Sequence, residues 1–397
     1  MYYLQRNVEL VPGAKNYCLY DLNTQRLYHL DEEATSTLRQ LLDEQSSSLA
    51  AKSEAGKYLL ANAIVVDEKK LLPAIPAPNN TFAPSFAWIE ITQNCNLLCR
   101  HCYEESSRTK KQPEMSETDY RKAIDFLQQI GVTRIQLVGG EPLMHSQFEL
   151  LLNYARGKFE LIEVYTNGTL LNDRLLNLLK EAGASLALSV YSEKPQQHDY
   201  VTRTPGSFNL TFRHIKQALA LDIPVRTASV EMKSIDSYTA SSLEVTHRSD
   251  LPRLTGRANL SLYSKDMLMR KFITKDFFTK PISSDEFFRN RQIHNCFGER
   301  IYIDYKLNVF PCAMERRICY GNLATDSSDI IMENELPFMT KDKVKGCAVC
   351  EFRYACFDCR CDSNGAAIDE KPWYCTYDPI TGTWADLETL ADALLHE

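Results

Sequence analysis

The sequence predicts an α/β protein built on a partial barrel of parallel strands, with a small α+β module before it and a cysteine-rich segment after it. Three observations carry this. Strand and helix patterns alternate from residue 85 to about residue 235. The stretch Leu72-Pro73-Ala74-Ile75-Pro76-Ala77-Pro78-Asn79-Asn80 is a proline-rich linker that separates them from the preceding residues. Nine of the thirteen cysteines fall between residues 296 and 375, where periodicity is weak. The expected organisation is therefore a module over 1–75, a linker over 76–84, a barrel over 85–290 and a cysteine-rich domain over 291–397.

In the first module, residues 8–11, 17–21 and 26–29 read as short strands, and 32–43 and 53–63 as helices. Ser46-Ser47-Ser48 reads as a loop between the helices. In the barrel, strands are expected over 86–92, 134–138, 162–165, 186–191 and 225–230, with a sixth over 260–263. The intervening helices fall at 117–130, 147–156, 173–182 and 208–221. This rhythm implies a parallel sheet with right-handed crossovers. Five to six units are too few for an eight-fold barrel, and the active site is expected at the C-terminal ends of the strands.

Composition narrows the function classes. The 397 residues are 44% hydrophobic and 24% charged, as in an ordinary globular protein. No run of 18 apolar residues occurs, so no membrane span is expected. The first residues lack the apolar core of a signal peptide, which points to a cytoplasmic location. A net charge of -7 argues against general nucleic-acid binding. In a reducing compartment, thirteen cysteines point to metal or catalysis rather than disulfides.

The run Cys95-Asn96-Leu97-Leu98-Cys99-Arg100-His101-Cys102 carries C-x3-C-x2-C in the loop after the first barrel strand. Three thiolates can hold three irons of a 4Fe-4S cluster and leave the fourth iron open, an arrangement suited to catalysis. Three unrelated core cysteines, or a zinc site missing one ligand, would look similar. The next strand ends in Gly139-Gly140-Glu141-Pro142, where paired glycines permit close backbone approach and Glu141 adds a carboxylate. A bland turn would read the same way, but the two motifs together, both at strand ends, are a strong signal.

These motifs resemble the radical S-adenosylmethionine (SAM) superfamily, whose cluster motif places an aromatic residue, here His101, before its last cysteine. The resemblance implies that Cys95, Cys99 and Cys102 bind a 4Fe-4S cluster and that SAM chelates its open iron. It implies that Gly139, Gly140 and Glu141 contact the SAM amino group. It also implies that Thr166, Asn167 and Ser189 contact the ribose and methionine, although turn formers or polar strand positions would look alike. The implied chemistry is reductive cleavage of SAM to methionine and a 5′-deoxyadenosyl radical that abstracts a substrate hydrogen.

Farther on, Cys347, Cys350, Cys356 and Cys359 are followed by Cys361 and Cys375, with Cys296, Cys312 and Cys319 upstream. A zinc ribbon usually separates its C-x2-C pairs more widely, and one zinc would leave five of the nine cysteines unused. The pattern resembles the SPASM extension of radical SAM enzymes that modify peptides, with Leu307 standing where that extension carries glycine. The resemblance implies one auxiliary iron–sulfur cluster on Cys347, Cys350, Cys356 and Cys375. It implies another on Cys296, Cys312 and Cys359, with Cys319, Cys361 or an open site in fourth place.

The run Cys350-Glu351-Phe352-Arg353-Tyr354-Ala355-Cys356-Phe357-Asp358-Cys359-Arg360 resembles the grasp-with-SPASM peptide maturases. So do Tyr374-Cys375-Thr376-Tyr377-Asp378-Pro379 and the stretch from Val11-Pro12-Gly13-Ala14-Lys15 to Asp21-Leu22. That resemblance implies a winged-helix-like N-terminal module that binds a precursor peptide by strand addition, although a mere packing domain fits the residues equally. It implies crosslinking of a ribosomally made peptide, with electrons from a small protein such as flavodoxin or ferredoxin. An anaerobic sulfatase maturase is an alternative, but those enzymes carry Asp after the cysteine at the Cys312 position, and here Ala313 follows. A non-catalytic zinc-binding interaction protein is another. No catalytic acid or base is identified: Tyr103, Tyr191, Glu299 and Asp304 are polar groups that read as structural.

Overall fold

The computed structural model describes residues 2–43, 45–77, 81–106 and 112–396, without the Lys69 side chain. Residues 78–80 of the expected linker lie outside the described residues.

The N-terminal module contains β1 (Tyr2–Leu4), β2 (Val8–Pro12), β3 (Tyr17–Asp21), β4 (Arg26–Leu30), α1 (Glu32–Leu42), α2 (Ser47–Ala50), α3 (Glu54–Ala61) and β5 (Val65–Asp67). β2, β3 and β4 form an antiparallel meander, and β1 pairs with β5. This arrangement does not confirm a winged-helix topology. Asp31 caps α1 by accepting from the Ala34 N–H, and Glu32 and Glu33 in the first turn favour the helix dipole. Ser46-Ser47-Ser48 opens a helical turn instead of a loop, because burial of Ala50 outweighs the weak helix preference of serine. β1 and β5 are three residues each, too short to show a period.

β3 is buried on both faces, as its alternation requires. Leu19 packs into the module's own core with Leu38, Leu41 and Leu59. Cys18 and Tyr20 face the opposite way, onto Phe287, Phe352, Tyr354 and Tyr377. Backbone and side-chain bonds fix this contact. Ala14 N–H donates to Val349 O at 2.7 Å, Tyr20 Oη–H to Glu351 O at 2.9 Å, and Arg353 Nη1–H to Pro12 O at 2.7 Å. His29 stacks on Phe352 with ring centroids 5.2 Å apart.

The barrel contains β6 (Phe86–Thr92), α4 (Glu117–Gln129), β7 (Arg134–Gly139), α5 (Phe148–Ala155), β8 (Leu161–Thr166), α6 (Asp173–Ala182), β9 (Ser185–Ser189), α7 (Pro195–Thr202), α8 (Ser207–Ala220), β10 (Val225–Val230) and β11 (Thr246–Asp250). Consecutive strands from β6 to β11 pair in parallel. β9 is buried throughout, as a strand covered on both faces must be. The sixth strand is β11, not 260–263. Its sequence Thr-His-Arg-Ser-Asp is polar and largely exposed, because it stands at the sheet edge and shows no apolar alternation. Leu260–Leu262 is a 3-10 turn, with Asn259 accepting from the Ser261 N–H. Helix α7 is also polar along its length and begins on Pro195, which explains why periodicity does not mark it.

Then follow α9 (Lys265–Lys271), α10 (Ser284–Gln292), β12 (Arg300–Ile303), β13 (Asn308–Phe310), β14 (Gly321–Asn322), α11 (Ser328–Met332), β15 (Tyr377–Asp378), β16 (Thr383–Trp384) and α12 (Leu387–His396). β12 pairs in parallel with β6, so the barrel sheet continues past residue 291, and β13 and β14 extend it antiparallel. Leu307, in the β12–β13 connection, has φ of 67°. That left-handed conformation explains why the related pattern carries glycine there. Here the side chain is 2% exposed, and its burial offsets the strain. Among the described residues no helix is long and apolar enough to cross a membrane.

Ile301 on β12 is fully buried in the core shared by the barrel and the cysteine-rich segment. Ile301→Ala is expected to cost about 2–5 kcal/mol, read by denaturant unfolding as a lower midpoint with barrel and C-terminal probes moving together.

Candidate active site and thiol clusters

The end of β7 approaches the start of the Cys95 loop so closely that side chains are excluded. A Cβ on Gly139 would overlap Thr92 O, and one on Gly140 would overlap Asn94 O. Gly139 also holds φ of 148°. Two backbone bonds occupy the contact: Gly140 N–H to Thr92 O at 2.8 Å and Glu141 N–H to Asn94 O at 2.7 Å. The loop is held on its other sides as well. Leu98 and Arg100 N–H donate to Thr202 O and Val201 O at the end of α7. Arg257 Nε–H donates to Cys99 O at 2.9 Å. Asn167 Nδ2–H donates to Asn96 Oδ1 at 2.9 Å.

One cavity at the C-terminal ends of β6 to β10 is lined by Cys95, Cys99, Cys102, His101, Gly139, Gly140, Thr166, Asn167 and Ser189. Glu141 is absent from that wall. Its buried carboxylate accepts from Thr166 Oγ1–H at 2.6 Å, Asn167 N–H at 2.8 Å and Leu143 N–H at 3.1 Å, joining the ends of β7 and β8 behind the cavity. Burial pushes its carboxyl up to about 7, against the pull of those donors. His101 packs edge-on against Tyr191, centroids 4.9 Å apart, and burial, with Arg257 adding, pushes it down to about 4. It is a neutral ring at the site.

The cavity contains more than the motifs indicated. Tyr103, Glu104, Tyr165, Tyr191, Met314 and Arg253 also line it. Glu104 pairs with Arg316, which reaches Glu90 at 3.8 Å; burial, with Glu90 adding, raises the Glu104 carboxyl to about 8. The remaining polar candidates are occupied elsewhere: Asp304 accepts from the Lys306 and Asn308 N–H groups in a turn, and Glu299 pairs with Arg289. A motif signal exists for Tyr103 and Glu104, which follow Cys102 directly. None exists for the 251–257 segment, which has no periodicity.

Burial pushes the Cys99 thiol up to about 12 and raises Cys95 as well. Such thiols ionise when a cation compensates their charge. Among the described residues no three His, Cys, Asp or Glu groups are gathered around one metal ion. Each thiolate of a 4Fe-4S cube binds a different iron, so three thiols spread around one cavity are what that group needs.

The C-terminal thiols form two further sets. Cys347, Cys350, Cys356 and Cys375 line one cavity together with Lys341, Arg353 and Lys371. Cys359 Sγ lies 3.2 Å from Cys361 Sγ, and Cys361 in turn lies beside Cys312, with Cys296 beside Cys312 and Cys359. Cys319 is exposed, its thiol donating to Gly321 O at 3.1 Å.

Residues 89–244 match the Radical SAM superfamily. The barrel is a radical SAM domain. That superfamily implies a 4Fe-4S cluster and SAM, and the three cysteines and the glycine-lined wall of this cavity are of a kind that fits both. The chain is 36% identical over 151 residues to the antilisterial bacteriocin subtilosin biosynthesis protein AlbA of Bacillus subtilis, covering 36% of this chain and 33% of AlbA. An AdoMet-dependent heme synthase of Oleidesulfovibrio alaskensis is 24% identical over 357 residues, covering 76% of this chain and 89% of the synthase. In fold, the chain is similar to Streptococcus suis SuiB bound to precursor peptide SuiA. The TM-score is 0.52 at 12% identity, over 91% of this chain and 96% of SuiB.

Because the folded chain favours protonated Glu141, ionising it costs stability. The metal-free chain should lose stability as pH rises from about 4.3, the free carboxyl value, through 7. Urea unfolding at pH 5 and pH 8 checks this: the drop attributable to Glu141 should vanish in Glu141→Ala, which is itself destabilised by about 1–3 kcal/mol through its stranded donors.

Proposed function

We propose that this chain is a radical SAM peptide maturase, which abstracts hydrogen from a ribosomally made precursor peptide and forms a crosslink in it. The observation that carries the reading is the combination of a SAM-type cavity with an N-terminal sheet seated on the cysteine-rich segment. Among the described residues β2 and β4 each pair with β3 alone, so each outer strand has backbone groups that an extended peptide can meet. AlbA is a bacteriocin biosynthesis protein and SuiB binds a precursor peptide, and both support the same class of substrate.

In this reading Cys95, Cys99 and Cys102 hold the 4Fe-4S cluster. Gly139, Gly140, Thr166, Asn167 and Ser189 bind SAM, with Glu141 positioning Thr166 and Asn167. Bound there, SAM supplies a 5′-deoxyadenosyl radical on reductive cleavage, with methionine released. The chain's own part is to orient and to exclude water. Tyr103, Tyr165, Tyr191, Val230 and Met314 wall the cavity with rings and apolar groups. An adjoining groove shares Tyr103, Thr255 and Met314 with the cavity and opens past Arg316 and Arg317, giving a peptide segment a path inward. Two auxiliary iron–sulfur clusters, of 4Fe-4S type, occupy the C-terminal thiol sets, with Cys361 as fourth ligand beside Cys296, Cys312 and Cys359. A flavodoxin or ferredoxin supplies electrons.

The long match to a heme synthase favours a second reading, a small-molecule substrate. Ala313, in the groove wall, offers no carboxylate where a sulfatase maturase carries its base.

Anaerobically reconstituted protein should hold about twelve irons per chain and convert SAM to methionine and 5′-deoxyadenosine under reduction. Cys99→Ala should abolish that conversion, leaving about eight irons. Co-expression with a candidate precursor peptide, such as a small peptide encoded near it, should change that peptide's mass or stereochemistry. An unaltered peptide, with SAM still cleaved, would overturn the peptide reading in favour of the small-molecule one. A colourless zinc protein would overturn both.

A further inference from the structure

The segment 251–257 runs from the end of β11 between two thiol sets. At one end Arg257 braces the Cys95 loop, its Nε–H on Cys99 O at 2.9 Å and its backbone N–H on Cys102 O at 3.1 Å. Toward the other end, Leu254 N–H donates to Asp362 Oδ1 at 3.0 Å, next to Cys361. Asp362 is itself fixed by Lys271 and by Trp373 Nε1–H. Arg253 lies between these anchors. It belongs to the wall of the SAM cavity, its side chain is 28% exposed, and its guanidinium lies close to the Cys359 and Cys361 thiols. Asp250 Oδ2 lies 3.7 Å from Nη1 on its other side.

We propose that Arg253 is a positioning residue that raises the reduction potential of the auxiliary cluster on Cys296, Cys312, Cys359 and Cys361, acting from the wall of the SAM cavity. This rests on the cluster reading of those cysteines given above. A cluster bound by four thiolates carries net negative charge, and one-electron reduction makes that charge larger. A guanidinium held close to the ligand sulfurs stabilises the reduced form more than the oxidised form, which raises the potential. The electron enters the cluster and the guanidinium keeps its proton, since arginine does not deprotonate in proteins. The planar fork suits this place, because it can donate to Cys359 while facing Asp250; an ammonium offers a single point charge.

The test uses the full-length reconstituted protein and an EPR-monitored potentiometric titration of wild type, Arg253→Gln and Arg253→Lys, with iron counted in each. With wild-type iron content, Arg253→Gln is expected to move one auxiliary signal to lower potential and leave the SAM-binding cluster in place. Arg253→Lys, which keeps the charge, is expected to show a smaller shift in the same direction. Unchanged potentials in both variants at full iron content would overturn the proposal, as would loss of iron from both, which marks a residue that merely holds the fold. Wild-type protein with iron for one cluster alone would instead overturn the auxiliary-cluster reading, and this inference with it.

Discussion

The fold around the cavity depends on one backbone-to-backbone approach. At Gly139 and Gly140 the β7 end lies against Thr92 and Asn94 with no room for a side chain, and two N–H···O bonds fill the contact. The Cys95 loop therefore starts from a rigid ledge. Its cysteines are aimed by strands β6 and β7, and its far side rests on α7 and Arg257. Glu141, one residue on, ties the same ledge to β8. A short run of sequence thus positions residues from three strands.

A second constraint is electrostatic. Cys95 and Cys99 are largely buried, and burial alone favours their protonated forms. Metal binding at such sites supplies energy to the fold. The cysteine-rich segment has little regular structure, and its thiols share their surroundings with Lys341, Arg353 and Lys371 in one set and with Arg253 in the other. Those cations balance negative charge that the apolar core cannot. The loop between Cys350 and Cys356 is also the seat of the N-terminal sheet, through Tyr20, His29 and Phe352. Order in that cysteine loop and placement of the sheet are one problem.

The barrel was legible because its strands and helices alternate with clear apolar periods, and the cysteine and glycine motifs stood at strand ends. β11 and α7 were not legible, since an exposed edge strand and a polar helix carry no apolar period. Glu141 was marked as important by its place in the motif, yet its carboxylate faces Thr166 and Asn167 behind the wall. Spacing cannot tell which way a side chain turns. Arg253 and Arg257 gave no signal at all, because they reach the site through tertiary folding of an aperiodic segment. For Cys361, pattern matching left alternatives open, and the 3.2 Å approach to Cys359 comes from a turn that spacing does not encode.

β12 enters the sheet beside β6, although 207 residues separate the end of one from the start of the other. Until residues 300–303 arrive, β6 is an edge strand with one row of backbone groups unpaired. A nascent chain still on the ribosome carries that open edge through the synthesis of every other barrel strand. The strand that launches the Cys95 loop is thus the last barrel strand to be enclosed between two neighbours, which keeps that loop accessible during synthesis and leaves a chain truncated before residue 300 with an open edge that can pair with another copy.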